Sequence, residues 1–246
     1  MKAMVLAAGL GTRLRPVTND RPKALVEVAG KTLLEITLAR LKSFGIGEVI
    51  INVHHFADMI SDYLVSHFYF GMRITLSREK ILLDTGGGLK KAAYFFQNSD
   101  GDEPFILHNV DVISTIDLDQ MIRVHRASRA LATLAVQKRE SSRYLLFDPS
   151  LQLCGRKAGR DHQPEMARPC DNPESLAFAG IHVISPRLLN MIEEDGVFSI
   201  IPTYMRLAAN GERIQGFRAD GYYWRDLGTL DSVVQAEREV RGKRVF

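Results

Sequence analysis

Cysteine is nearly absent from this sequence: two in 246 residues, Cys154 and Cys170. They form no C-x-x-C pair, and neither falls at zinc-ligand spacing with any of the seven histidines. That excludes a disulfide-built scaffold and a zinc ribbon, and it fits free thiols in a reducing cytoplasm. Long hydrophobic runs are missing as well. None approaches the roughly 20 residues that cross a bilayer, so no membrane partner is expected. The opening residues, one lysine and then a short apolar run, are too short and wrongly bounded for a signal peptide. There is no strong excess of either charge. The net charge of +3 comes from interspersed acids and bases, which argues against a nucleic-acid-binding surface. Internal repeats and low-complexity tracts are absent too. What remains, 46% hydrophobic and 25% charged, is an ordinary globular composition with length for one substantial core.

The chemistry is concentrated at the start. Residues 3–8, Ala-Met-Val-Leu-Ala-Ala, read as a buried strand. A small-residue turn follows, Gly9-Leu10-Gly11-Thr12, then Arg13-Leu14-Arg15-Pro16, and then Pro22-Lys23-Ala24-Leu25. A strand ending in bare backbone N–H groups, two guanidinium forks and a mobile ammonium is equipment for holding a polyphosphate. It is neither of the two common phosphate loops. A dinucleotide fingerprint needs a third glycine where Leu14 stands, and a P-loop needs a lysine where Thr12 follows Gly11.

Leu-Ala-Ala-Gly-Leu-Gly-Thr-Arg-Leu-Arg-Pro-Val-Thr, followed by Arg-Pro-Lys-Ala-Leu, resembles the signature of the sugar-1-phosphate nucleotidylyltransferases. These enzymes join a nucleoside triphosphate to a sugar 1-phosphate and release pyrophosphate. In wording and length the chain is similar to the mannose-1-phosphate guanylyltransferase-like members and to the short uridylyltransferases of cell-wall sugar recycling. The signature leaves base and sugar open.

Further along, helical spacing at Leu34, Leu38 and Leu41 predicts a helix over 33–44, before a strand over Glu48–Val53. A second helix (56–64) and a third strand (72–77) follow. Strand, helix, strand, helix, strand implies a parallel sheet covered on both faces, with ligands beyond the carboxyl ends of its strands. The fold class expected is therefore α/β: a three-layer α/β/α, Rossmann-like, mixed but mainly parallel sheet with a small sugar-binding elaboration. One domain over 1–246 is expected, with a nucleotide-binding half (1–130) and a sugar-binding half with the final helix (131–246). No hexapeptide-repeat extension is read after that helix, so a stand-alone catalytic unit is expected.

The segment Glu79 to Gly88 carries three consecutive glycines before a helix expected over 89–96. The resemblance implies a base-facing turn here, with Glu79, Asp84, Thr85 and Gly86 near the base. Asp111 follows a buried strand (104–109) on the ligand edge, where a carboxylate suits Mg²⁺, which binds through one or two carboxylates and substrate phosphates. By resemblance Asn109 touches the sugar and Gly180 faces it. The same resemblance matches Trp224-x-Asp226-x-Gly228-Thr229 and makes Asp226 the second Mg²⁺ ligand. Residues 155–175 read as a long loop in which the Glu-Lys-Pro motif of many relatives is missing.

The implied site has Arg13 holding the leaving phosphates and Lys23 near the α-phosphate or the sugar phosphate, with the backbone of Leu6, Ala7, Ala8, Gly9, Gly11 and Thr12 cradling the nucleotide. Its partners are a nucleoside triphosphate and a sugar 1-phosphate, in the cytoplasm, with self-association left open. Two other readings stay in view. One is a glycosyltransferase-like enzyme using a nucleotide-sugar, although Asp111-Val112-Ile113 is not Asp-x-Asp. The other is a non-catalytic sugar-nucleotide sensor.

Overall fold

The computed structural model describes residues 1–97, 102–159 and 162–243, with side chains to 239. The first half runs β1 (Lys2–Leu6), β2 (Glu27–Val28), β3 (Lys31–Thr32), α1 (Leu33–Ser43), β4 (Glu48–Val53), α2 (Ala57–Ser66), β5 (Arg73–Arg78), α3 (Asp84–Ala92) and α4 (Tyr94–Gln97). Then come β6 (Phe105–Asn109), β7 (Val112–Ser114), α5 (Leu118–Ser128), β8 (Ala132–Gln137), β9 (Arg143–Phe147), β10 (Leu153–Ala158) and β11 (Glu165–Met166). The chain closes with β12 (Glu174–Ile184), α6 (Ile200–Ala209), β13 (Ile214–Arg218), β14 (Trp224–Asp226) and α7 (Leu230–Lys243).

The central sheet begins β5-β4-β1-β6, all parallel. β12 then runs antiparallel to β6 and is long enough to pair with both β8 and β9. β13 adds in parallel to β8, and β10 and β11 extend from β9, giving a mixed sheet of ten strands. Neighbouring residues along a strand face opposite sides of such a sheet. Ala3 and Val5 accordingly join the cluster under α1, α2 and α5, while Met4 joins the one under α3 and α6. Val49 and Ile51 repeat the first face and Ile50 the second. Two cores, one per face, make the three-layer α/β/α fold expected from the alternation of elements. No helix of the described residues is long and apolar enough to cross a membrane.

Two sequence expectations are corrected. The helix expected from Leu89 starts instead at Asp84, so all three glycines lie inside α3. Close packing explains it. A Cβ on Gly86 would stand 2.3 Å from the Phe198 ring, on Gly87 2.4 Å from the Gly196 carbonyl oxygen, and on Gly88 2.8 Å from Asn52 Nδ2. A glycine normally costs a helix about 1 kcal/mol relative to alanine, but here the missing side chains let the helix dock. Gly87→Ala therefore destabilises the protein, by about 1–3 kcal/mol of overpacking against fixed backbone, despite the gain in helix propensity. A denaturant midpoint equal to or above that of the parent would refute this.

The loop expected over 155–175 is in part sheet, because β10 runs on to Ala158 and pairs with β11 at Gly155↔Met166. Gly155 permits that pairing, since a Cβ there would sit 2.8 Å from the Glu165 carbonyl oxygen. Residues 160 and 161 of that loop lie outside the described residues. Both cysteines are free thiols. Burial, and then the neighbouring Cys170, push the Cys154 thiol up to about 12, which leaves it inert.

Three histidines are buried in the sheet and its covering helix. His182 shares a hydrogen bond with the Tyr204 hydroxyl (2.9 Å), and His125 lies between Thr133 Oγ1 (2.9 Å) and Ser185 Oγ (3.0 Å). Among the described residues His108 has only the strand-end carbonyl of Asn109 as a hydrogen-bond partner, 2.8 Å away. Burial pulls His108 and His125 down to about 4 and His182 to about 3. An unfolded histidine titrates near 6.5, so the unfolded chain takes up these protons first as pH falls. The stability they confer is complete above pH ~6.5 and is lost as pH drops toward the folded values, each adding a slope of up to about 1.4 kcal/mol per pH unit. The urea midpoint is expected to fall clearly between pH 7.5 and pH 5; a midpoint flat over that interval would refute the account.

Candidate active site

The strand order reverses at β1: β4 lies on one side and β6 on the other. In an open α/β sheet that reversal leaves a crevice at the carboxyl ends of the two diverging strands. Here Leu6 and Asn109 are register partners at that crevice, and Val110 N–H donates to the Leu6 carbonyl at 3.1 Å. The glycine turn and Asp111 therefore emerge side by side. Between them lies a cleft of about 390 Å³. Leu6, Ala7, Gly9, Gly11 and Thr12 form one wall; Arg13, Lys23 and Asp111 supply its charge. Ala8, expected with them, is buried and does not line the cleft.

Gly11 holds the turn. Its φ of +65° is one that side chains rarely adopt, and a Cβ there would meet Thr18 Cγ2 at 3.0 Å and Lys23 Cβ at 3.2 Å. Thr18 Oγ1 donates back to the Gly11 carbonyl at 2.8 Å. The backbone turn thus packs directly on the lysine segment. Pro22 precedes a 3₁₀ turn over Lys23–Leu25, which sends the Lys23 side chain inward, where its ammonium pairs with Asp111 Oδ2.

Asp111 and Asp226 are 115 positions apart in sequence, and a two-stranded ribbon brings them together. β14 pairs antiparallel with β7, with Asp226 opposite Val112, and Leu227 N–H donates to the Asp111 carbonyl at 2.8 Å. The two carboxylates feel each other. The Asp226 carboxyl is raised by burial first and by the negative charge of Asp111 second; Lys23, the Gly228 N–H and Arg13 pull the other way. Gly228 makes that arrangement possible. Its N–H donates to Asp226 Oδ1 at 2.9 Å, and a Cβ on it would stand 2.6 Å from that oxygen and 2.8 Å from Arg13 Nη2. Among the described residues no group of three or more His, Cys, Asp or Glu side chains could hold a metal. The donor set is instead two carboxylates, Asp111 in the lining of the cleft with Arg13 and Lys23, and Asp226 hydrogen-bonded to the cleft-lining Gly228. That chemistry fits a hard divalent cation completing its shell with substrate oxygens.

The residues expected near the base also hold the surrounding structure together. Glu79 is buried, with Oε1 accepting from Asn52 Nδ2 (2.8 Å) and Oε2 from Leu83 N–H (3.0 Å). Asn52 Oδ1 in turn accepts from Ala7 N–H at 2.8 Å, so Glu79 steadies the start of the glycine turn through Asn52. Thr85 Oγ1 accepts from Ile200 N–H at 3.0 Å and caps α6, while Gly86 N–H donates to the Phe198 carbonyl at 2.9 Å. Of this segment it is Leu82 that lines the cleft. Each of the three thus has a structural partner close to the cleft, and a carboxylate that accepts two hydrogen bonds still has lone pairs to offer. Asn109 and Gly180 do come together: a Cβ on Gly180 (φ +75°) would lie 2.9 Å from Asn109 Nδ2. Asn52 and Gly228 are the supports that single-residue reading passes over. Gly228 is signalled by its motif, and Asn52 only by a polar residue near the end of an apolar strand.

A parallel-sheet crevice with bare amides, a guanidinium, a buried ammonium and paired carboxylates suits phosphoryl or nucleotidyl transfer. The family model for nucleotidyl transferases matches residues 2–243, and the chain belongs to that family. It is an enzyme of the nucleotidyltransferase class, as the sequence signature implied. It is 35% identical over 245 residues to the N-acetylmuramate α-1-phosphate uridylyltransferase of Caulobacter vibrioides, covering 96% of this chain and 95% of that one. Its likeness to the same-named enzyme of Neisseria meningitidis serogroup B is 30% over 241 residues, covering 96% and 97%. The fold is also that of HddC from Yersinia pseudotuberculosis, at a TM-score of 0.77 with 21% identity over 97% of this chain and 98% of that one.

Proposed function

We propose that this chain transfers a uridylyl group from UTP to N-acetylmuramate α-1-phosphate, giving the UDP-sugar and pyrophosphate. The observation that carries nucleotidyl transfer is the convergence of Arg13, Lys23 and Asp111 on one cleft at the β1/β6 crevice, with the ribbon holding Asp226 close enough to feel the Asp111 charge. Uracil and the muramate sugar are favoured by near-full-length similarity to enzymes of that name in two organisms.

The attacking group is a phosphate oxygen that is already anionic, so no general base is required. The site must bring two anions together and stabilise charge at the α-phosphorus. The turn amides from Gly9 to Thr12 bind the triphosphate, on a turn that the Ala7–Asn52 hydrogen bond anchors. Arg13, set against Gly228, takes the departing β- and γ-phosphates with its fork. Lys23, pointed inward by its 3₁₀ turn, neutralises the α-phosphate. Asp111 and Asp226 would hold Mg²⁺, which supplies positive charge to the nucleophile and the α-phosphate. The ion pair of Lys23 with Asp111 keeps both side chains oriented before substrate arrives.

Pyrophosphate release from UTP with N-acetylmuramate 1-phosphate tests this, against GTP with mannose 1-phosphate. The UTP pair is expected to give a kcat/KM higher by roughly tenfold or more. A preference for GTP and mannose 1-phosphate would overturn the choice of base and sugar. Activity that survives chelation would overturn the metal.

A further inference from the structure

A second guanidinium lies on the ribbon strand that carries Asp226. Arg139 lies just beyond β8, with its guanidinium carbon 3.8 Å from the centre of the Trp224 ring. Trp224 and Asp226 are two apart on β14 and so share a face of that strand. Arg139 is therefore carried to the neighbourhood of the second carboxylate, whose charge opposes the downward pull of burial on Arg139. The stack is itself fixed. Trp224 Nε1 donates to the Ala179 carbonyl at 2.7 Å, and Arg139 Nη2 donates to the Phe178 carbonyl at 2.8 Å. Both acceptors sit where β12 breaks register beside Gly180, whose bare Cα faces Asn109.

The donors of Arg139 are incompletely used. A guanidinium carries five N–H groups. Phe178 takes one, the Glu140 carbonyl takes another at 3.3 Å, and Nε finds no acceptor among the described residues. Its basic neighbours in this half differ. Arg156 pairs with Glu165, Arg168 with Asp148, Arg218 with Glu174 and Asp220, and Arg225 with Glu239. Arg139 has no carboxylate within ion-pair distance among the described residues. The reaction brings a second anion up to the triphosphate, and Arg13 and Lys23 are committed to the first. The segment 155–175 offers no Glu-Lys-Pro. A half-buried guanidinium with unspent donors, held flat on an aromatic ring beside the reacting centre, meets that need.

We propose that Arg139 binds an oxyanion of the sugar substrate, and that Trp224 positions it to do so. The inference rests on the proposed sugar-phosphate reaction. Two oxyanions could meet it: the 1-phosphate, or the lactyl carboxylate of N-acetylmuramate.

Arg139→Gln and Arg139→Lys test this by steady-state kinetics with each substrate varied in turn, using N-acetylmuramate 1-phosphate and N-acetylglucosamine 1-phosphate. For Arg139→Gln the KM for the sugar phosphate is expected to rise roughly ten- to hundredfold, the scale of one charged hydrogen bond. The KM for UTP should stay within about twofold, since this side chain lies away from the triphosphate. Lysine keeps the charge and loses the fork, so Arg139→Lys should fall between. An equal defect with both sugars assigns the phosphate, and a defect confined to the muramate sugar assigns the carboxylate. An unchanged sugar KM overturns the proposal. So does a parallel rise in both KM values with a lowered melting temperature, which is what a purely structural clamp predicts. If Arg139→Gln does not fold, Arg139→Lys decides on the same criteria. If the wild type works only with GTP and mannose 1-phosphate, the choice of substrate fails, and the same comparison on that pair still decides Arg139.

Discussion

Asp111→Ala is expected to lower kcat by roughly 10²–10³-fold while leaving the protein folded. The side chain and backbone of Asp111 do separate work. Its carbonyl accepts the Leu227 N–H, and the β7–β14 pairing runs through backbone groups, so the ribbon survives truncation. What is lost is the carboxylate between Lys23 and Asp226. Lys23 then has no partner to hold it in the cleft, and Asp226 is left as a single carboxylate. The concentration of Mg²⁺ giving half-maximal rate should rise, because one hard donor of two has gone. Pyrophosphate release against Mg²⁺ concentration, with the thermal midpoint as the folding control, checks both parts. Turnover within a few fold of wild type would remove Asp111 from the site.

Lys23→Ala should also cost roughly 10² or more in kcat, but it should move the metal requirement the other way. Lys23 is nearly buried and paired with Asp111, and its charge is one of the influences holding the Asp226 carboxyl down. Removing it leaves two close carboxylates without their ammonium. At about 4 Å, unit charges interact by about 4 kcal/mol at the effective dielectric of a protein surface, so the pair will bind a cation more readily. The variant should therefore need less Mg²⁺ for half-saturation while turning over far more slowly, because the α-phosphate has lost its cation. The KM for UTP should rise less than kcat falls if Lys23 acts mainly on the transition state. If both variants shifted the Mg²⁺ requirement in the same direction, the competition between metal and ammonium for Asp111 would be wrong.

Much of this was legible in the chain. The alternation of apolar strands and amphipathic helices over the first 80 residues specified the parallel core, because burial on both faces needs apolar runs and crossover helices. The bounds of β4 fall where the apolar run predicts them. Gly9 to Lys23 announced phosphate chemistry, since a turn without side chains and nearby cations suits a polyphosphate and little else. Local signals of this kind survive in sequence because the residues that act together are also close along the chain.

Other features were set by partners far away. The glycines at 86–88 read as a flexible turn until Phe198, Gly196 and Asn52 are found pressed against them. Glu79 gives no sign in sequence of the Asn52 side chain and Leu83 N–H that its two oxygens hold. Arg139 carries no motif at all and gains a role only when Trp224, 85 positions later, comes to lie beneath it. By itself, then, the sequence determined the layered fold, and it pointed to the proposed triphosphate half of the site; both are written in short-range pattern. That Asp111 and Asp226 belong together came from the resemblance; the tertiary structure decided how the β7–β14 ribbon joins them and that Arg139 lies on Trp224. Those meetings depend on strand pairing between distant segments, and nothing in local periodicity encodes which strands will pair.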